Sequence, residues 1–218
     1  MSNRRGVLIG IGAGVGVSAL ALGAGGWRIW RGHQLDYGVG NTGASLPGLG
    51  RLALRCTAGT VTVGQMEGPF YSPKTPERRD IRDSQVTQTL IVAGRVLDPQ
   101  CRPIPEAVLD FWQTDIDGHY DNQGYRYRGH QRTNEVGRFE LVTVRPHAYT
   151  SLGIFRTPHI HVKIQGPDTR LLTTQLYLPD AEQTNARDGL YRPELAIEYV
   201  SRTADLERAT FDFVIQPT

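Results

Sequence analysis

The apolar positions of this chain fall into three regimes. Residues 7–26 form an uncharged run with Arg4 and Arg5 before it and Trp27, Arg28, Trp30 and Arg31 after it. Residues 36–51 (DYGVGNTGASLPGLGR) carry few large apolar side chains and much glycine. From about residue 55 onward, short runs rich in apolar and β-branched residues recur, each bounded by Gly, Pro or Asp. Such runs predict strands over residues 89–98 (TLIVAGRVLD), 107–113 (AVLDFWQ), 137–144 (GRFELVTV), 159–165 (HIHVKIQ), 171–178 (LLTTQLYL) and 210–215 (TFDFVI). One helical stretch is expected over residues 193–200. Strands at this spacing predict an all-β protein, an antiparallel sandwich or barrel.

The first regime reads differently. A basic start followed by an apolar run is the pattern of an export signal or of a single membrane anchor. Twenty uncharged residues are just enough to span a bilayer as a helix, although seven of them are glycine. The pair Arg4-Arg5 weakly resembles a twin-arginine signal. The expected organisation is a signal or apolar anchor helix over residues 1–35, a Gly-rich linker over 36–54 and a β-domain over 55–218. The protein is then placed on the exported side, with a membrane tether through residues 7–26. The Gly14-x-Gly16-x-x-Ala19 spacing mimics a dinucleotide fingerprint but lacks the strand–helix context that gives such a motif meaning.

Composition narrows the function. The 218 residues carry 24 basic and 22 acidic side chains, a net charge of +2, with no basic stripe, so a nucleic-acid partner is not expected. Two cysteines, Cys56 and Cys101, cannot build a disulfide scaffold or a four-cysteine zinc site. Export permits a disulfide between them, which would stabilise by about 4 kcal/mol in the chain-entropy model; two unpaired thiols are the other reading.

Candidate chemistry gathers between residues 112 and 177. In a strand, residues i and i+2 share a face. His159 and His161 therefore share one face, while Ile160, Val162 and Ile164 share the other and belong to the core. Two imidazoles one pleat apart can chelate one metal ion; two histidines on an exposed edge would look the same in sequence. Asp115 and Asp117 could complete an iron(II) site of two histidines and a carboxylate. Tyr120 and Tyr149, each at the end of a Gly- or Pro-containing turn, are the other donors within reach.

Several runs occur in a fixed order. They are EGPFY (67–71), PIPEA (103–107), WQTDIDGHY (112–120), YRGHQRTNEVGRFELVTVRPHAY (127–149), RTPHIH (156–161) and LLTTQLYLPD (171–180). Together they resemble the intradiol ring-cleavage dioxygenases over roughly residues 60–180. The resemblance implies an antiparallel β-sandwich of that type and an iron(III) ion held by Tyr120, Tyr149, His159 and His161. It further implies that Tyr149 takes a substrate proton, that Arg156 stabilises developing negative charge and that Gln175 orients the arginine or the ring. The reaction implied inserts both atoms of O2 into a catechol-type ring and gives a muconate-type diacid. Hard phenolate ligands suit iron(III), and two of them with a hydroxide neutralise its charge.

The chain departs from the family in the short, apolar segment 149–156 (YTSLGIFR), and the long helical segment that precedes the domain in catechol 1,2-dioxygenases is not expected here. Tyr125 and Tyr127 lie close enough to Tyr120 to compete for its role. Two other readings carry different expectations. A catalytically silent sandwich that binds aromatic or cell-surface ligands would tolerate Tyr120→Phe. A copper or zinc site would be exposed by metal analysis, and phenolates are poor zinc ligands.

Overall fold

The computed structural model describes residues 56–218. The signal or anchor helix, the tether through residues 7–26 and the whole of the linker lie outside the described residues. In chain order the elements are β1 (Thr89–Leu97), β2 (Val108–Gln113), β3 (Arg128–Arg132), β4 (Arg138–Thr143), β5 (Tyr149–Ser151), β6 (Ile154–Arg156), β7 (His159–Gln165) and β8 (Leu172–Tyr177). There follow a single helical turn α1 (Glu182–Asn185), a 3-10 turn (Pro193–Leu195), β9 (Glu198–Arg202), β10 (Leu206–Thr210) and β11 (Phe213–Val214).

The strands make two main sheets. In one, β1 is central, with β4 antiparallel on one edge and β10 then β11 along the other; β9 pairs with β10. The second runs β3-β2-β7-β8 and is antiparallel throughout. Leu90, Val92 and Val96 of β1, Phe139 and Leu141 of β4, Ala209 and Phe213 meet Leu109, Phe111, Ile160, Val162, Ile164 and Leu176 of the second sheet. All of these are buried. This shared apolar layer is the physical content of the sandwich.

The expectation of an antiparallel sandwich needs a correction, because β1 runs parallel to both β10 and β11. The predicted strand over residues 210–215 is also two strands. The break falls at Phe211–Asp212 and is written into β1 by Gly94. A Cβ at Gly94 would lie 1.7 Å from the Phe211 carbonyl oxygen. The Phe211 N–H donates to Ala93 O at 3.0 Å, and Asp212 Oδ1 accepts from the Arg95 N–H at 2.9 Å. The carboxylate replaces the missing strand partner across the interruption. Gly94→Ala should therefore cost about 3 kcal/mol, the upper end for overpacking, read as a lowered denaturant midpoint. An unchanged midpoint would mean that the β10–β11 break yields freely.

The helix expected over residues 193–200 is replaced by the 3-10 turn followed by β9. Ile197 N–H donates to Tyr177 O, and Tyr199 enters strand pairing with Ala209. Long-range pairing has outweighed local propensity here. Strand β3 was not expected, because its sequence RGHQR has no apolar alternation. Its side chains are nonetheless buried, and backbone pairing to β2 creates it.

Cys56 and Cys101 are joined, with an S–S distance of 2.08 Å. The bond ties the start of the described chain to the turn after β1. From there residues 63–76 run as an extended strap over the outer face of the second sheet. Gln65 N–H donates to Thr173 O, His130 N–H to Pro76 O, and the Tyr71 hydroxyl to Asp110 Oδ2 at 2.8 Å. Glu67 pairs at 2.5 Å with Lys163, whose side chain is almost fully buried. The strap covers a polar face that would otherwise meet water, so Asp110 and Trp112 are buried on that side while Leu109 and Phe111 are buried in the core.

Candidate metal centre

The alternation expected in β7 holds. Ile160, Val162 and Ile164 enter the core, and His159, His161 and Lys163 point to the outer face beneath the strap. Cross-strand register then selects the neighbours. His161 lies between Trp112 of β2 and Gln175 of β8, and His159 lies opposite Tyr177. Trp112 stacks on the His161 imidazole at 4.7 Å with planes 8° apart.

Two loops bring the phenols. The turn after β2 is held by Asp115, whose Oδ1 accepts the N–H groups of Asp117 and His119. Gly118 takes φ +86°, and a Cβ there would strike the Ala148 carbonyl at 2.7 Å. This close approach sets Tyr120 beside the segment that carries Tyr149. Arg128 is fully buried; its Nη1 donates to Phe70 O and its Nε to Asp121 O. Phe70 is thereby laid flat on the Tyr120 ring, at 4.4 Å and 18°. Gly68, with φ +71°, lets the strap turn past His161, whose Cε1 lies 3.8 Å from the position of the missing Cβ. Tyr149 opens the β5–β6 hairpin, where it pairs directly with Arg156.

All four predicted ligands come together. Their rings form a closed cycle, with centroid separations of 5.4 Å from Tyr120 to Tyr149 and 5.7 Å from Tyr149 to His159. The cycle closes with 4.7 Å from His159 to His161 and 6.3 Å back to Tyr120. The two imidazole Nε2 atoms are 3.0 Å apart. Two nitrogens bound at about 2.1 Å to one ion, roughly at right angles, take that separation. His159 Nδ1 faces the Thr157 carbonyl at 2.6 Å, which directs the Nε2 lone pair inward. The Tyr120 hydroxyl is buried inside the cycle and faces only the Tyr149 phenol, outside good hydrogen-bond geometry. Buried polar atoms of that kind call for a bound group.

Electrostatics point the same way. Burial, and then the Arg156 charge, brings the His159 pKa down to about 3. Burial and His159 push His161 well below the usual histidine value. Both rings are therefore neutral, as metal ligands must be. Burial, followed by the Tyr149 phenol, raises Tyr120 well above 10. Burial raises Tyr149 as well, while Arg156 opposes it. Neither phenol ionises near neutrality unless a cation arrives. Among the described residues no three His, Cys, Asp or Glu side chains converge, so the donor set at this place is two imidazoles and two phenols. Such a set suits a hard trivalent ion better than zinc.

Asp115 is engaged in its own turn, which removes it as the carboxylate of a two-histidine site. Tyr125 is exposed and donates to Pro73 O, and Tyr127 is buried with φ +54° outside the ring cycle. Arg156 and Gln175 meet as expected, with Nη2 donating to Gln175 Oε1 at 2.5 Å. Sequence reasoning missed Phe70, Trp112, Arg128 and Asp188. For Trp112 a signal existed, because its place in β2 puts it opposite the His-x-His strand once the register is known.

A family model described as "Dioxygenase" matches residues 66–217. The 6-chlorohydroxyquinol 1,2-dioxygenase of Cupriavidus pinatubonensis is 30% identical over 187 residues, covering 75% of this chain and 66% of that protein. An intradiol ring-cleavage dioxygenase of Aspergillus niger is 28% identical over 166 residues, covering 63% of this chain and 52% of that protein. The chain thus spans about half to two thirds of these relatives. Among solved structures, the dioxygenase domain of a dioxygenase–carbohydrate-binding protein fusion from the cellulolytic bacterium Streptomyces sp. SirexAA-E is 40% identical, with a TM-score of 0.67. That match covers 73% of this chain and all of the Streptomyces domain. The converging phenols and imidazoles and the matched family model agree, and the chain belongs to the intradiol ring-cleavage dioxygenase family.

Proposed function

We propose that this protein is a non-haem iron(III) intradiol dioxygenase, which inserts both atoms of O2 into a catechol-type ring and yields a muconate-type diacid. Tyr120, Tyr149, His159 and His161 would hold the ion. The observation that carries this reading is the closed cycle of four rings around two Nε2 atoms 3.0 Å apart, with the Tyr120 hydroxyl buried and facing only the Tyr149 phenol. The reading also places the domain at residues 55–218, on the exported side, tethered through residues 7–26; the basic start and the uncharged run support this.

When bound, iron(III) supplies a Lewis acid that ionises a chelated catechol and makes its ring reactive toward O2. The substrate brings the electrons, so no external reductant enters. The protein's residues do the rest. The Tyr149 phenolate oxygen takes one catechol proton, and its place next to Arg156 in the hairpin keeps the resulting phenol near an electrostatic partner. Arg156 presents fixed positive charge where the opening ring gains negative charge. Gln175 holds that arginine, and its own amide is oriented by donating Nε2–H to Met66 O at 3.0 Å. Trp112 and Phe70 lock the planes of His161 and Tyr120, so the ligand set is built before substrate arrives. His159 and His161 are buried, and Tyr120 and Tyr149 are half-buried residues, the Tyr120 hydroxyl itself turned inward.

A visible absorption spectrum of the iron-loaded protein tests the reading. Tyrosinate-to-iron(III) charge transfer should give a burgundy protein, and anaerobic catechol should move the band to longer wavelength. Admitting O2 should then consume the catechol. A protein that stays colourless after iron(III) is added rejects the tyrosinate site and leaves a sandwich that only binds.

A further inference from the structure

We infer that Asp188 is a positioning residue for Arg156 in the proposed reaction, an assignment that rests on the dioxygenase reading above. Asp188 lies in the loop after α1, far from the ligand motifs in sequence, and its side chain is 1% exposed. Its Oδ2 accepts from Arg156 Nε at 3.0 Å and from the Thr157 N–H at 3.0 Å. Its Oδ1 accepts from the Leu190 N–H at 2.8 Å. The carboxylate is therefore fixed by two backbone donors before it meets the arginine.

Arg156 is held on a second side by Gln175. Two of its three nitrogens are thus committed, which sets the plane of the guanidinium as well as its position. The two holders come from different elements, the loop after α1 and strand β8, and they meet on a short hairpin that also carries Tyr149. A one-point tether would leave the guanidinium free to swing about its last bond; a fork held at Nε and Nη2 cannot swing.

Charge explains why a carboxylate is needed rather than any acceptor. Arg156 is nearly buried, and the site beside it is built to take a trivalent cation between neutral imidazoles. An unopposed guanidinium there would repel the ion. Asp188 offsets that charge at Nε, while Gln175 holds Nη2, so the guanidinium keeps one orientation. The hairpin has a separate anchor on its other face, where Arg187 lies over the Phe155 ring at 4.3 Å. Anchoring of the hairpin and alignment of the arginine are therefore carried by adjacent residues, and variants can separate them.

The test compares Asp188→Asn, Asp188→Glu and Arg187→Ala in the full chain. Asp188→Asn keeps an acceptor and the size but loses the charge. It should lower kcat on catechol by about 10- to 100-fold, the scale of a misplaced catalytic group, and change KM by less than about threefold. Asp188→Glu restores the charge and should recover part of kcat. Arg187→Ala should lower thermal stability with kcat within about twofold of the parent. A second readout needs no metal. In metal-free protein, the Arg156 Nε–H should be slow to exchange by NMR, and Asp188→Asn should make it fast. Parental kcat in Asp188→Asn, an equal kcat loss in Arg187→Ala, or an Nε–H that stays protected in Asp188→Asn would each overturn the assignment. If the parent protein shows neither colour nor turnover, the dioxygenase reading fails, and the NMR comparison alone decides whether Asp188 fixes the arginine.

Discussion

Tyr120→Phe is expected to stabilise the metal-free protein while removing turnover. The two effects have one origin. The Tyr120 hydroxyl is buried and faces only the Tyr149 phenol, outside good hydrogen-bond geometry, so the folded apoprotein carries its desolvation with little compensation. Deleting it should raise unfolding free energy by about 1–3 kcal/mol. The ring itself is kept. Phe70 still stacks on it, and Arg128 still lies over it at 5.9 Å. With iron the balance reverses. On the iron(III) reading the variant would lose a hard anionic ligand, and the ion would keep a positive charge that the site no longer neutralises. Loss of an outer partner to a ligand costs about 10- to 100-fold; loss of the ligand should cost on the order of 10³-fold. Denaturant titrations in chelator, beside O2 uptake with iron, measure both. Turnover within threefold of the parent would remove Tyr120 from the ligand set and favour a sandwich that only binds.

Acid should unfold the metal-free protein over a window that begins well above the carboxylate range. The His159 pKa is brought down to about 3, chiefly by burial and then by Arg156, and His161 is pushed well below its usual value. In the unfolded chain both titrate near 6.5. Between those values the unfolded state binds protons that the folded state refuses. Stability therefore rises with pH in this window and is lost as pH falls from about 6.5 toward 3. Each histidine contributes a slope of about 1.4 kcal/mol per pH unit, so His159 alone accounts for roughly 5 kcal/mol across the window. Urea midpoints of the apoprotein at several pH values between 7.5 and 4 should fall steadily below 6.5. His159→Gln should flatten that fall, because glutamine has no proton to bind. A midpoint constant from pH 6.5 to 5 would mean that the imidazoles reach solvent, which their burial denies. Bound iron should steepen the dependence, since its ligands must lose protons to bind.

Much of this was legible in residue order. The period-two pattern of residues 159–165 alone placed two histidines on one face and three aliphatic residues on the other, and β7 keeps those bounds. The four expected ligands meet at one place because each is set by a local device. The histidines are set by the pleat, Tyr120 by the turn that Asp115 holds, and Tyr149 by the start of a hairpin. Strand β3 was illegible, because its buried side chains are polar and its partners lie elsewhere in the chain. The helix expected over residues 193–200 failed for a related reason. Ile197 bonds back to Tyr177 in β8, and Tyr199 pairs with Ala209 across the β9–β10 hairpin, contacts that no local helical signal reveals.

Sequence by itself determined the quantities that depend on short spacing. These are the strand period, the turn residues, the apolar core faces and the shared face of His159 and His161. Tertiary structure alone decided what meets across strands and loops. It made β1 parallel to β10 and β11, drew the strap over the second sheet, laid Trp112 on His161 and Phe70 on Tyr120, and brought Asp188 to Arg156. The reason is physical. A pleat or a turn is fixed by a few consecutive dihedral angles, whereas cross-strand register and loop docking are fixed by the summed packing and charge of residues far apart in the chain.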